Sequence, residues 1–381
     1  MALFFSIFFI IYGAVNYYIF IRGWQAISAI HFLKPFYLIL FLLLSFSFLI
    51  AKFLASYLTQ FLYDFLLWIG SFWFAFMLYF FLAVVFIDLI RLVNFIFPFF
   101  PFTLKNNYTA VKEITALAVL LISLIIVIAG YINTRSIFVR DLNINIAKKS
   151  ASINELKAVV LSDIHISPVN DGKLLDKIVG KINELEPDIV LIPGDIVDDK
   201  SDVLRKKNIG KAFYDIKSKY GVFASTGNHE FINGIDSCEK FIIDHGIKLL
   251  RDESVIIDGN FILICRDDRS VKQFTGKERK KLAELINGDE NNLPFILMDH
   301  TPFGLEEAEN NNIDLQLSGH THNGQLFPLN YITDLVYEKS WGYLKKNFTQ
   351  YYVSCGIGTW GPPVRTGSPS EIINLKIKFV D

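Results

Sequence analysis

The stretch Lys157–His165, which reads KAVVLSDIH, decides the fold of the water-soluble part of the chain. Its apolar run Lys157–Leu161 predicts a buried strand, and Asp163 and His165 follow directly. Side chains at alternate positions of an extended chain point to the same side, so these two can face one point beyond the strand. A carboxylate and an imidazole suit a divalent transition metal. Taken alone, the pattern also fits an ordinary polar turn after a strand.

The same arrangement recurs along the chain, because polar residues follow four more predicted strands. The strands and the residues after them are Asp188–Ile192 with Asp195 and Asp198, Val222–Ser225 with Asn228 and His229, Phe295–Met298 with His300, and Leu315–Leu317 with His320 and His322. With His165, five of the chain's seven histidines lie in the five blocks. Strand ends that meet at one edge of a sheet are where α/β folds form active sites. The five blocks together therefore predict one polar site.

Amphipathic helical patterns alternate with the predicted strands. Lys173–Leu185 places apolar residues on one helical face, and Ser237–His245 is also predicted to be helical. A hairpin is predicted over residues 255–265, and further strands over Tyr351–Ser354 and Ile372–Ile377. This order predicts an α/β domain of layered mixed β-sheets flanked by helices.

Residues 1–132 differ sharply in composition from the rest, because they are rich in Phe, Leu, Ile and Tyr and carry few charges. Four apolar stretches are each near the roughly 20 residues that cross a bilayer core. They are Ala2–Ile21, Pro35–Ala51, Leu66–Leu89 and Ile114–Ile132. We therefore predict an all-α region of about four transmembrane helices over 1–132, a linker with one edge strand over 133–156, and a water-soluble domain over 157–381.

The charged residues near the spans favour an anchor over a channel. Asp64 and Asp88 lie at the edges of the third apolar stretch rather than at its centre, where a proton pathway would need them. Lysines and arginines are balanced between the two sides of the predicted spans, so their count does not fix the orientation. Charges in long exported domains have little influence on topology, which favours an extracytoplasmic position for the soluble domain.

Overall charge and cysteine content do not support two other classes of protein. The net charge of −1 gives no indication of nucleic-acid binding. The three cysteines, Cys238, Cys265 and Cys355, cannot form a disulfide framework and lack the paired spacing of a zinc knuckle. We predict that they are small core residues.

Residues from about Lys157 to Asp381 resemble the calcineurin-like metallophosphoesterase family, since all five blocks occur in the order of that family. The segments LSGHTHNGQ (317–325) and GIGTWGPPVR (356–365) are similar to its bacterial, membrane-associated branch. The resemblance implies the calcineurin-like phosphoesterase fold over 157–381 and two metal ions. It implies that Asp163, His165 and His322 bind the first metal, that Asn228, His300 and His320 bind the second, and that Asp195 bridges both. His229 would protonate the leaving group and Asp198 would orient it.

The chemistry of these residues agrees with that implication. Two cations about 3.5–4 Å apart can bind a phosphoryl group and activate a bridging water as hydroxide. Nitrogen and oxygen ligands without thiolate suit Mn, Fe or Zn. Arg365 is expected on the surface or in a salt bridge, with contact to a substrate phosphate as the less favoured reading.

We therefore predict a metal-dependent phosphohydrolase in the membrane of a bacterial cell, with phosphodiesters favoured as substrates. Its anchor suggests a substrate at the bilayer surface, such as a lipid-linked phosphoester. One alternative is a membrane-bound sensory or binding protein with a catalytically weak phosphoesterase domain. Another is a transporter with an enzymatic appendage, which the scarcity of polar groups in the spans disfavours. The sequence leaves the physiological substrate and the oligomeric state open.

Overall fold

The computed structural model describes residues 2–170, 172–286 and 292–380. Within this part of the chain the fold divides into two compact units, Met1–Tyr131 and Ile132–Asp381.

The first unit is helical. Its helices are α1 (Ala2–Ala26), α2 (Lys34–Phe53), α3 (Gln60–Ile96), α4 (Phe102–Asn106) and α5 (Tyr108–Thr134), the last of which ends in the second unit. Four of them, all except α4, are long and apolar enough to cross a membrane, which confirms the predicted number of spans. At 37 residues, α3 extends past both ends of the predicted stretch Leu66–Leu89.

Several polar side chains of the first unit pair with one another. The indole Nε1 of Trp73 donates a hydrogen bond to Oδ1 of Asn16 at 2.9 Å. Asp88 forms ion pairs with Arg22 at 2.5 Å and with Arg91 at 2.9 Å. Pairing of this kind lowers the cost of placing polar groups in an apolar environment. These contacts agree with a membrane anchor.

The second unit contains two six-stranded mixed sheets, which confirms the predicted fold class. The first has the strand order β1 (Ile137–Ala147), β12 (Ser370–Val380), β2 (Glu155–Val160), β3 (Ile189–Pro193), β4 (Val222–Ser225) and β5 (Lys248–Leu249). The second has the order β10 (Gly342–Lys346), β11 (Thr349–Val353), β9 (Leu315–Ser318), β8 (Phe295–Met298), β7 (Phe261–Cys265) and β6 (Glu253–Ile257). The helices are α6 (Gly172–Glu184), α7 (Ser201–Lys206), α8 (Asn228–Ile232), α9 (Ile235–Asp244), α10 (Val271–Thr275), α11 (Glu306–Asn310) and α12 (Asn330–Val336).

Alternating side chains of the strands build three apolar layers. In β2, Ala158 and Val160 join the layer between the two sheets, whereas Val159 faces the other way and packs with α6 residues such as Ile178. The outer face of the second sheet forms a third layer with Leu282 and Leu305. Because side chains of a strand alternate between its faces, a continuous apolar run such as that of β2 fits a strand covered on both sides.

The segment 133–156, predicted as a linker with one edge strand, contributes β1 to the first sheet. β1 pairs in parallel with β12 from Ile137 opposite Ser370 to Ala147 opposite Val380, and it lies at the edge of the sheet. The three cysteines are unpaired and buried.

Candidate metal centre

Five loops that follow β2, β3, β4, β8 and β9 meet at the carboxyl ends of these strands. Backbone hydrogen bonds join them: the N–H of Asp163 donates to the carbonyl of Gly194 at 3.2 Å, and that of Gly319 to the carbonyl of His300 at 2.9 Å. β2, β3 and β4 run parallel, as do β8 and β9, so the loops leave each sheet at one edge. This geometry brings together all nine predicted residues, Asp163, His165, Asp195, Asp198, Asn228, His229, His300, His320 and His322.

The first group of possible metal ligands consists of Asp163, His165 and His322. Nε2 of His322 lies 2.9 Å from Nε2 of His165 and 3.4 Å from Oδ1 of Asp163. All three side chains are buried. The two oxygens of Asp163 accept the backbone N–H of His320 at 3.0 and 3.1 Å, which fixes the orientation of the carboxylate.

The second group consists of Asp195, His300 and His320, with Asn228 beside it. Nδ1 of His320 lies 2.8 Å from Oδ1 of Asn228. Nδ1 of His300 donates to the carbonyl of Pro193 at 2.7 Å, so in the neutral ring Nε2 keeps its lone pair. A hydrogen bond of this kind at the far nitrogen is the usual support of a metal-bound histidine.

Asp195 lies between the two groups. Its Oδ2 is 3.1 Å from Nε2 of His300 and 3.7 Å from Nε2 of His165. Nδ1 of His165 is buried and has no hydrogen-bond partner. Buried polar atoms without partners are costly, and a cation is one means of compensation. The donor set of buried carboxylates and imidazoles therefore fits divalent metal ions.

Burial keeps most of these imidazoles neutral, as metal ligands must be. It lowers the pKa of His165 and His320 to about 4 and that of His322 well below its usual value. His300 differs. Burial favours its neutral form, but the adjacent Asp195 carboxylate outweighs burial and raises the His300 pKa well above its usual range. A cation bound beside Asp195 would release that proton, because metal binding and protonation compete for the same lone pair.

The backbone at this site adopts the left-handed conformation unusually often. Positive φ angles of 48° to 71° occur at Asp163, His165, Asp195, His320 and His322. Such conformations are uncommon for residues other than glycine, and they cluster at functional sites. This observation marks the loops as a site independently of their residue types.

Two glycines allow the loops to approach one another closely. A Cβ at Gly227 would lie 2.1 Å from Oδ1 of Asp195, and one at Gly319 would lie 1.9 Å from Oγ of Ser162. Both distances are too short for any side chain. The glycines of the Gly-Asn-His-Glu and Gly-His-Thr-His blocks therefore serve the packing of the site.

His229 lies beside the groups and is oriented by a carboxylate. Its Nδ1 is 2.6 Å from Oδ1 of Asp198, and its ring centre is 4.6 Å from that of His165. Burial alone would lower the pKa of His229, but the charges of Asp198 and Asp195 outweigh burial and raise it to about 9. A protonated imidazole beside two ligand groups can donate a proton to a bound molecule.

Glu230 is a structural residue of the site that the sequence analysis did not identify. Its Oε2 accepts the backbone N–H of Gly227 at 2.7 Å and of Asp195 at 3.1 Å, and Oε1 accepts those of Ile196 at 2.8 Å and Val197 at 2.9 Å. The side chain is fully buried. Its bond to the N–H of Gly227, the N-cap of α8, also caps that helix, and a glutamate three residues after the N-cap is a signal that the sequence contains.

The expectation for Arg365 was wrong. Arg365 is fully buried, and its guanidinium donates to the carbonyls of Cys355 at 2.8 Å and Gly358 at 2.6 Å and to Oγ of Ser368 at 2.7 Å. Its Nη2, which donates to both carbonyls, also lies 3.1 Å from Nδ1 of His322. Backbone carbonyl oxygens of the folded loop accept the hydrogen bonds of the guanidinium, and no sequence pattern indicates such an arrangement.

The chain is similar to known metallophosphoesterases. Residues 156–324 match the calcineurin-like phosphoesterase family. A metallophosphoesterase of Helicobacter pylori is 34% identical over 58% of this chain and 60% of its own length. One of Aquifex aeolicus is 30% identical over 59% of this chain and 85% of its own length.

A third relative, a transmembrane protein with metallophosphoesterase domain of Danio rerio, is 32% identical over 68% of this chain and 62% of its own length. The chain thus matches about 60% of the length of the Helicobacter relative, and its match to the Aquifex relative covers most of that protein. With five blocks that meet at the carboxyl ends of strands from two sheets, and with these relatives, the chain belongs to the calcineurin-like phosphoesterase family.

Proposed function

We propose that this chain is a membrane-anchored, metal-dependent phosphohydrolase that cleaves phosphoester bonds, with phosphodiesters first among its substrates. The position of Asp195 is the observation that carries the proposal. Its Oδ2 lies 3.1 Å from Nε2 of His300 and 3.7 Å from Nε2 of His165, so one carboxylate adjoins both groups of ligands. A shared carboxylate is the arrangement expected where two cations bind close together.

Each group of ligands would hold one divalent ion. The proposed ligands are Asp163, His165 and His322 for the first ion, Asn228, His300 and His320 for the second, and Asp195 for both. Nitrogen and oxygen donors without thiolate favour Mn, Fe or Zn. When bound, two such ions supply Lewis-acid stabilisation of phosphoryl oxygens and an activated water.

The side chain of His229 would donate the proton that the leaving oxygen needs. Its Nδ1 is engaged by Asp198 at 2.6 Å, which leaves Nε2 as the nitrogen available to a substrate. The Asp198 carboxylate fixes the ring orientation and stabilises its protonated form. We propose Asp198 as a positioning residue and His229 as the catalytic acid.

The membrane helices suggest where the substrate lies. Four helices are long and apolar enough to cross a bilayer, and the membrane is therefore the proposed partner of the first unit. We propose a bacterial cell membrane, with the second unit on its extracytoplasmic side and a lipid-linked phosphoester as substrate. Labelling of a Lys217→Cys variant with an impermeant maleimide in intact cells tests the orientation, since Lys217 is exposed and the native cysteines are buried. Labelling only after lysis would refute it.

The proposed activity is tested with the full chain purified in detergent. Chromogenic phosphomonoesters and phosphodiesters are supplied with Mn²⁺, Fe²⁺ or Zn²⁺, and His229→Ala and Asn228→Ala are compared with wild type. We expect metal-dependent hydrolysis that falls by about 10²-fold or more in both variants. His31→Ala is the control, because His31 is exposed and lies in the first unit.

Two other outcomes would contradict the proposal in different ways. Binding of metal without hydrolysis of any phosphoester would favour a sensory or binding protein. A folded chain that binds no divalent ion would refute the metal centre itself.

A further inference from the structure

The second unit carries an exposed apolar surface. It consists of Phe327 and of the α12 residues Tyr331, Ile332, Leu335 and Val336, which we call the apolar ridge. Their exposed fractions are 49%, 60%, 56%, 87% and 53%. Residues 331 and 335, and 332 and 336, are four positions apart, so the four helical side chains share one face of α12.

The helix α12 exposes its apolar side chains, whereas an ordinary surface helix buries them. Its polar residues Asn330 and Asp334 line a small polar cavity of about 350 Å³, and Asp334 accepts a hydrogen bond from Ser340. None of its residues is buried. A surface helix normally turns its apolar face inward, and a contiguous exposed apolar patch marks an interaction surface.

The segment that carries the ridge is connected to the candidate metal centre. Tyr337, the residue after α12, has its ring centre 6.1 Å from that of His320. Gln325 donates to the carbonyl of Trp360 at 3.0 Å, and the exposed ring of Trp360 is centred 6.3 Å from that of His229. Tyr337 and Trp360 thus place aromatic rings beside His320 and His229.

The ridge is also close, through hydrogen bonds, to the end of the last membrane-capable helix. Asn133, in the final turn of α5, donates to the carbonyls of Arg365 at 3.0 Å and Ser368 at 3.1 Å. Between those two residues, Oγ1 of Thr366 accepts the N–H of Phe327 at 2.9 Å. One short segment thus binds both Asn133 and Phe327, the first residue of the ridge.

We propose that the apolar ridge enters the interfacial layer of the bilayer and presents the metal centre to the phosphoester headgroup of a membrane lipid. The occupant is a lipid surface, because the ridge is bonded to the segment that receives the end of a membrane-capable helix. Apolar and tyrosine side chains on one helical face are typical of interfacial helices. The ridge determines which substrates reach the site, and this second statement rests on the proposed hydrolase function.

Insertion of the ridge can be measured without catalysis. A Leu335→Cys variant of the full chain is labelled with an environment-sensitive fluorophore, since the three native cysteines are buried. The protein is reconstituted in phosphatidylcholine and phosphatidylglycerol vesicles with or without brominated acyl chains. We expect quenching by brominated lipid at position 335 and none in Ile243→Cys, a matched variant at an apolar residue of α9 that is 51% exposed. Equal quenching at both positions would overturn the proposal. Absence of quenching at 335 would also overturn it, and this is the result expected if another protein covers the ridge.

Substrate selection is measured in the same vesicles. Replacing Ile332 and Leu335 together by Glu should lower hydrolysis of a fluorescent phosphodiester lipid by about tenfold or more, because each large apolar side chain loses its transfer to an apolar environment. Hydrolysis of soluble bis-p-nitrophenyl phosphate should stay within about twofold of wild type, as should both rates in Ile243→Glu. An equal loss on both substrates would refute the selective role. A wild-type chain that cleaves no ester but shows quenching at Leu335→Cys would refute the hydrolase function and leave ridge insertion standing.

Discussion

Glu230 offers the sharpest test of how the candidate metal centre is held together. In Glu230→Gln, an NH₂ group replaces one carboxylate oxygen and therefore faces two backbone N–H groups, either those of Gly227 and Asp195 or those of Ile196 and Val197. Each buried donor left without an acceptor costs about 1–3 kcal/mol. We expect the free energy of unfolding of the second unit to fall by about 2–6 kcal/mol, a large part of the about 5–15 kcal/mol typical of a domain.

The assay is thermal unfolding of the full chain in detergent at a fixed scan rate, followed by circular dichroism. A loss of that size lowers Tm by about 5–20 °C for a domain of this length. Glu239→Gln makes the same chemical change at a glutamate whose side chain is 35% exposed and pairs with Arg251, and we expect a cost below about 1 kcal/mol. Similar Tm values for the two variants would refute the reasoning. The Glu230 variant should also bind Mn²⁺ more weakly, because the loops of Gly227 and Asp195 lose their common acceptor.

The remaining predictions concern the ligands and the packing of the loops. Asp198→Asn should slow hydrolysis of an alkyl phosphodiester by about tenfold more than that of a p-nitrophenyl ester, since only the alkyl leaving group needs the proton; equal slowing of the two esters would contradict the positioning role. Chelation should abolish hydrolysis and added Mn²⁺ should restore it, whereas Asp195→Asn should bind Mn²⁺ at least about tenfold more weakly by calorimetry. Gly319→Ala should destabilise the second unit by about 1–3 kcal/mol because its Cβ would lie 1.9 Å from Oγ of Ser162. Gly180→Ala, where a Cβ meets nothing within 4 Å, should raise stability slightly in the same denaturation experiment.

The strands that the sequence predicted well are those whose apolar runs are buried on both faces. β4 and β8 have the predicted bounds, Val222–Ser225 and Phe295–Met298, and every residue in them is buried. β10 (Gly342–Lys346) was not predicted, because its residues are half-buried or exposed and include two lysines. β5 has only two residues, which is too short for any periodic pattern. Patterns of burial are therefore clearest in the sequence where both faces of a strand are covered.

The residues that converge at the candidate site were visible in the sequence, whereas their supporting contacts were not. The proposed ligands lie at strand ends, and an apolar run followed by Asp or His can be recognised from neighbours alone. Glu230 and Arg365 act on backbone groups that come together only in the folded chain. Arg365 donates to the backbone carbonyls of Cys355 and Gly358. Every residue has such a carbonyl, so the sequence does not show which ones an arginine will bind. For this reason, Arg365 was expected on the surface although it is fully buried.

The backbone conformation explains why these loops need such support. Asp163, His165, Asp195, His320 and His322 all have positive φ, and each such residue costs about 1–3 kcal/mol. Glycine would adopt these conformations at lower cost, so stability alone would not select histidine or aspartate there. The strain is compatible with a folded domain only because buried hydrogen bonds and close contacts between loops offset it. Candidate metal ligands at positions whose backbone disfavours them are the expected result where a function requires those groups to converge.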